Sequence, residues 1–186
     1  VSLNSFDIPE KWFESRVSLQ EEVRRRPDLP LAMHEAGQAF AYEFNDINLR
    51  ISALEKTTRI INGEPVVFGG RTEPAPAVQI TKCNLWQHVV CMMAGVAAQH
   101  VVDEQGALNS AVADMQRAAE CIERVGLNQQ QADQLIIEAA KAGANIVMKN
   151  IATVRAIADL LEQKKRIEGD EIRDIVRRQN EAAIRP

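Results

Sequence analysis

The sequence predicts a mostly α domain with a small antiparallel β-sheet (α+β). Three observations carry this. Apolar residues recur three and four positions apart through most of the 186-residue chain, the spacing that lays a stripe along a helix. Helix breakers are scarce, with 9 Gly and 7 Pro. Strand signals, an apolar–polar alternation and an Asn-Gly pair, are confined to residues 47–68.

The elements follow in chain order. Residues 9–26 read as a polar helix with Trp12, Phe13, Val17, Leu19 and Val23 loosely spaced along it. Asp28-Leu29-Pro30 breaks it and opens the next helix, about 30–44, with Pro30 in the first turn, where a missing N–H is harmless. Ile47 to Ala53 alternates as a half-buried strand does. Residues 57–61 and 66–68 flank Asn62-Gly63, a hairpin signal because both turn residues tolerate positive φ. Pro65 removes a ladder donor and marks its strand as an edge. Gly69 to Ala77 reads as a loop. From Thr81 onward everything reads as helix. Leu85, Val89, Met92, Met93, Val96 and Val101 form one apolar stripe, and Leu108, Val112, Met115, Ala119 and Ile122 form a second. Gly126 ends that helix, and Asn128 with Gln131 resembles a capping box for a long one running to about Lys165. Gly169-Asp170 starts the last, through Ile172, Ile175 and Val176.

The length suits a single domain, 1–186, with one sizeable core. Apolar and charged contents of 46% and 26% are ordinary for a soluble globular chain. A net charge of -4 implies no broad nucleic-acid surface, and Arg24-Arg25-Arg26 reads as solvated surface. Cys83, Cys91 and Cys121 are odd in number and form no C-x-x-C. This argues against a disulfide framework and suits a reducing, cytoplasmic compartment. The longest apolar run, Val89 to Ala98, is shorter than the roughly 20 residues a bilayer span takes, and no secretory leader pattern opens the chain, so no membrane is expected.

The chemistry centres on Met33-His34-Glu35-Ala36-Gly37-Gln38-Ala39. It falls one residue short of H-E-x-x-H, in which two histidines one helical turn apart present imidazoles to a zinc ion and the Glu acts as general base. Here the fifth position is Gln38, whose amide oxygen is a hard, neutral, weak donor. A zinc site on His34 and Gln38 alone would not hold. Farther on, Ala107, Ala111, Asp114, Ala118, Cys121 and Val125 share one helix face. Asp114 is the sole charge on that close-packing face, and is either a structural hydrogen-bond acceptor or a ligand.

With these residues in place, the chain resembles the zinc-peptidase domain of the FtsH-type AAA+ membrane proteases. Four segments carry the likeness, in the family's order: the motif above against H-E-A-G-H-A; Met93-Ala94-Gly95-Val96-Ala97-Ala98-Gln99 against G-G-R-A-A-E-E; Ser110 to Ala118 against G-A-x-N-D-x-x-R-A; and Ile167-Glu168-Gly169-Asp170-Glu171-Ile172 against I-x-G-D-E-L. The likeness spans about residues 30–178. It implies His34 and Asp114 as zinc ligands and Glu35 as catalytic base, with Gln38 in the second histidine's place. It also implies self-association into rings. The pattern departs again at Val96, Gln99 and His100. With only residues 1–32 before the motif, no AAA+ module and no membrane anchor are expected in this sequence, and a stand-alone domain would at most cleave peptides or already unfolded segments unless a separate motor feeds it.

Two expectations follow. In the first, the frame persists while hydrolysis is weakened or lost, and the chain binds an unfolded peptide or a partner protein. In the second, His34, Asp114 and Gln38, directly or through water, hold a divalent metal, zinc if any, and Glu35 activates water. In either, an extended peptide would pair with the edge strand at Val66, Val67 and Phe68. The third histidine, His100, and the pair His88 and Cys91 read as packing or surface residues, not replacement ligands.

Overall fold

The structure, a computed structural model, describes residues 16–55, 57–61, 64–75 and 79–184. The elements are α1 (Arg16–Arg25), α2 (Leu29–Phe44), β1 (Leu49–Ala53), β2 (Thr57–Ile61), β3 (Glu64–Phe68), β4 (Arg71–Pro74), α3 (Leu85–Val102), α4 (Glu104–Arg124), α5 (Gln129–Lys149), α6 (Ile151–Lys164), β5 (Arg166–Glu168) and α7 (Gly169–Ile184). The domain is mostly α with a small antiparallel sheet, as its sequence predicts. Residues 9–15 of the first expected helix, and the turn residues Asn62 and Gly63, lie outside the described residues.

Two helices form the centre. Every residue of α2 from Ala32 to Tyr42 is buried, as an element walled on all sides requires. Its walls are α3, α6 and the sheet. The α2–α3 crossing is close because the residues there are small. A Cβ placed on Gly37 would lie 2.6 Å from both the Ala94 carbonyl oxygen and the Ala98 Cβ. In turn α3 is enclosed by α2, α4 and α5. It is long and apolar enough, by length and composition, to cross a membrane, yet 78% of it is buried inside the protein, as befits a core helix. One core cluster joins α2 to α6 and α7 through Met33, Phe40, Ile157, Leu161 and Ile172. The other joins α3 to α4 and α5 through Val89, Met93, Cys121 and Ala139. Each such fully buried aliphatic side chain contributes about 1.5–3 kcal/mol.

The structure corrects the expected elements in four places. First, the supposed loop at 69–77 contains β4, which pairs antiparallel with β1 in the order β4-β1-β5. Second, Arg166–Glu168 interrupts the C-terminal helices as β5: Lys165 takes a left-handed conformation (φ 62), and Ile167, fully buried, sits opposite Ser52. Third, the long helix expected from Asn128 to Lys165 breaks at Asn150, whose side-chain amide donates to the Ile146 carbonyl at 2.8 Å. Asn competes with the backbone in this way, and the break lets α5 face α3 while α6 faces α2. Fourth, of the apolar stripe Leu108, Val112, Met115, Ala119 and Ile122 only Ile122 is buried, and Val112 is 67% exposed; with Ile122, the buried side of α4 is the close-packing face of Ala107, Ala111, Asp114, Ala118 and Cys121. Small residues win because they let α4 lie close against α3. The Asn128–Gln131 capping box is present, with both reciprocal hydrogen bonds.

Candidate functional site: a buried polar corner between three helices

His34 and Gln38 stand one turn apart on α2, Gln99 near the end of α3, and Asp114 midway along α4. All four are at least 94% buried. Asp114 reaches the corner because the rest of its helix face is alanine and cysteine, and Gly95 on α3 leaves room for Gln38. A Cβ on Gly95 would meet Gln38 Cγ at 2.6 Å.

The imidazole of His34 is held from both sides. Its Nδ1 lies 3.1 Å from Gln99 Oε1. An amide oxygen only accepts, so Nδ1 carries a proton and donates. Its Nε2 lies 3.0 Å from Asp114 Oδ2 and 3.0 Å from Gln38 Nε2. The Gln38 amide nitrogen donates in turn to Asp114 Oδ1 and Oδ2 at 3.4 and 3.3 Å. The carboxylate offers only acceptors, which fixes the NH2 end of Gln38 toward it. Arg117 stands 3.8 Å from Asp114 Oδ1 but is half exposed, so solvent screens that attraction. Burial would lower the His34 pKa, but the hydrogen bond and charge of Asp114 outweigh it, and the imidazole titrates above its ordinary range.

Glu35 is buried and turned to the sheet. Thr72 of β4 donates to its Oε2 at 2.7 Å, so the 3.0 Å contact between Ser52 and Thr72 is a bond that Ser52 donates. Burial raises the Glu35 pKa more than His34 and Thr72 lower it. The two residues after β3, Gly69 and Gly70, run against Leu31 and Glu35.

The structure thus brings His34, Gln38 and Asp114 together, with Glu35 beside them. The strand bearing Val66, Val67 and Phe68 is present as β3, antiparallel to β2 in a ribbon of its own; their side chains lie outside the described residues. Sequence reasoning missed Thr72, which sits in the supposed loop, and gave Gln99 no role beyond a departure from the family pattern. Gln99, not its neighbour His100, orients His34.

The corner has the dimensions of a metal site and the wrong chemistry for one. Ligands at about 2.0–2.1 Å around a tetrahedral zinc stand roughly 3.3–3.4 Å apart, and the three pairs here span 3.0–3.4 Å. Yet the group Gln38 presents is NH2, which has no lone pair to offer a metal. Turning the amide over would set its oxygen against the Asp114 carboxylate and break the hydrogen bonds that hold it. Among the described residues, no three His, Cys, Asp or Glu side chains are grouped to hold a metal. The residues present do not fit zinc. No family model matches the chain, and no curated protein matches it.

The raised pKa of His34 makes stability depend on pH near neutrality. A group whose folded value lies above its unfolded value stabilises fully below the unfolded value and loses that contribution as pH rises through the folded one. For His34 the loss begins above about 6.5. His88, lowered by burial, acts in the opposite sense, losing its contribution as pH falls below about 6.5. The His34 contribution is isolated by difference: wild type should exceed His34→Gln in stability most at pH near 6, and by less at pH near 8.5. Chemical denaturation of both proteins at the two pH values checks this; an excess that grows with pH would contradict it.

Proposed function

We propose that this chain is an FtsH-peptidase-like domain whose metal corner is closed by hydrogen bonds, and that it binds an extended peptide or partner chain without hydrolysing it. One observation carries the reading. The Gln38 amide nitrogen donates to the Asp114 carboxylate and packs 3.0 Å from the His34 ring nitrogen that the carboxylate holds, so the side chain in the second histidine's place closes on the other two where a metal would have joined all three. The frame is therefore kept without the ion. The β3 ribbon supports the binding role: among the described residues its two strands pair only with each other, which leaves ladder groups on their outer edges, and the chain leaving β3 passes Glu35 within two residues. A separate AAA+ motor is one partner this reading allows.

Elemental analysis of protein purified without chelator tests it, alongside Gln38→His. The expected result is no metal in wild type, near-stoichiometric zinc in Gln38→His, and cleavage of unstructured peptides, if any, by the variant alone. Stoichiometric zinc in wild type, with peptide cleavage abolished by Glu35→Gln, would overturn the reading in favour of an active metallopeptidase.

A further inference from the structure

We propose that the peptide-binding edge is the outer edge of β2, and that its ligand is an extended segment carrying an acidic residue opposite Arg59. This deepens the binding role above and rests on it. The backbone register makes the choice between the two strands. Pro65 has no N–H, so Ile60↔Pro65 cannot be a pair that exchanges two hydrogen bonds. Antiparallel pairs alternate, so the exchanging pairs are Thr57↔Phe68, Arg59↔Val66 and Ile61↔Glu64. The backbone groups of the residues between them face outward. On β2 these are the N–H and C=O of both Thr58 and Ile60. On β3 they are the N–H and C=O of Val67 but only the C=O of Pro65. An incoming strand can complete its ladder on β2 and not on β3, although the sequence alone points to Val66, Val67 and Phe68.

The fold already uses this side of the hairpin. β1 leads through residues 54–56 into β2, and β3 leads through Gly69 and Gly70 into β4, so the ribbon prolongs the β1–β4 pair. β5 lies on the other side of β1, where the Leu54 N–H donates to the Lys165 carbonyl at 2.8 Å. Thr58 and Ile60 stand four and six residues beyond Leu54, even intervals that turn their N–H groups to the same side. A peptide on β2 would continue outward the row that β5 begins. Among the described residues, neither β2 nor β3 packs extensively on any other element, which leaves that row open.

Charge selects the ligand. Arg59 is the only charged residue of β2, and Lys56 before it has the same sign. The acid of the ribbon, Glu64, belongs to β3, one strand farther from the ligand. At the root, Glu55 pairs with Arg71 and Lys165 with Asp28. An antiparallel strand bonded to Thr58 and Ile60 sets its intervening residue opposite Arg59 in a non-hydrogen-bonded pair, with Cα atoms about 4.5 Å apart. An opposite charge there is stabilising and a like charge is not. The same rule counts against a second copy. Full overlap of two antiparallel β2 strands is centred on residue 59 and sets Arg59 against itself.

Fluorescence anisotropy tests this with a labelled peptide of alternating threonine and valine that carries a central glutamate. The same peptide with a central lysine should bind about two- to fivefold more weakly, and Arg59→Glu should reverse that order. Ile60→Pro removes an outward donor that the ribbon itself does not use, and should weaken binding of the glutamate peptide about three- to tenfold. Val67→Pro removes the last outward donor of β3 and should leave binding unchanged, which makes it the matched control for any strain a proline ring brings. Binding that survives Ile60→Pro, that falls as far in Val67→Pro, or whose preference ignores Arg59→Glu would overturn this inference and leave the binding role standing. Self-association of the chain that Ile60→Pro abolishes would assign the edge to a second copy and overturn it as well. Failure of the wild type to bind either peptide would overturn the binding role together with the inference.

Discussion

Asp114→Ala should destabilise the fold by about 3–5 kcal/mol, the cost of removing one partner of a buried ion pair. The substitution strips the acceptor from His34 Nε2 and from both Gln38 contacts at once, within a corner that water does not reach. Asp114→Asn should cost less, about 1–2 kcal/mol, because the amide oxygen still accepts from Gln38 while its NH2 serves a neutral His34. The His34 pKa should move as well. Its raised value rests on the hydrogen bond and charge of Asp114 against the opposing effect of burial, so in Asp114→Ala burial is left opposed only by the weaker influences of Glu35 and Gln99, and the imidazole should titrate lower. Denaturant unfolding gives the first quantity and an NMR titration of the imidazole the second. A neutral or stabilising Asp114→Ala would mean that the carboxylate is held in wait for a ligand, which an open metal site would require and a closed corner does not.

The sequence makes some of this legible and hides the rest for physical reasons. Pro30, the motif and the apolar residues around them define α2 by local rules alone. The Asn128–Gln131 capping box is equally local, and its two hydrogen bonds stand as read. Asp114 is conspicuous because one carboxylate on a face of alanines needs a partner wherever that face is buried. Which face of α4 is buried is a different matter. Both stripes have helical periodicity, and the more apolar one loses because the close approach to α3 admits only small side chains. The strands β4 and β5 are four and three residues long and exist by pairing with β1, so nothing local announces them. Thr72 and Gln99 are invisible for the same reason: their bonds to Glu35 and His34 cross 37 and 65 residues of chain, and no spacing rule reaches that far.

Gly95→Ala should test whether packing and the polar corner are one structure. A methyl group there would lie 2.6 Å from Gln38 Cγ, 3.0 Å from the His34 carbonyl oxygen and 3.1 Å from Gln38 Nε2. Two of the three contacts are to Gln38, which sits with no free space and must swing away. Swinging away breaks its bonds to Asp114, so overpacking, at about 1–3 kcal/mol, and loss of those bonds arrive together. The expected total is about 3 kcal/mol. Gln38→Ala removes both Gln38 atoms from the clash and leaves the His34 carbonyl as the remaining tight contact. The double variant Gly95→Ala/Gln38→Ala should then be more stable than the sum of the single effects predicts, by about 1 kcal/mol or more. A denaturation cycle over the four proteins measures that difference. If the two substitutions add, the methyl group is absorbed by movement of α3 as a whole, and the glycine serves the helix crossing without governing the corner. If they couple, the residue that fills the second histidine's place is held there by the helix packed against it, and the corner's closure is a property of the fold.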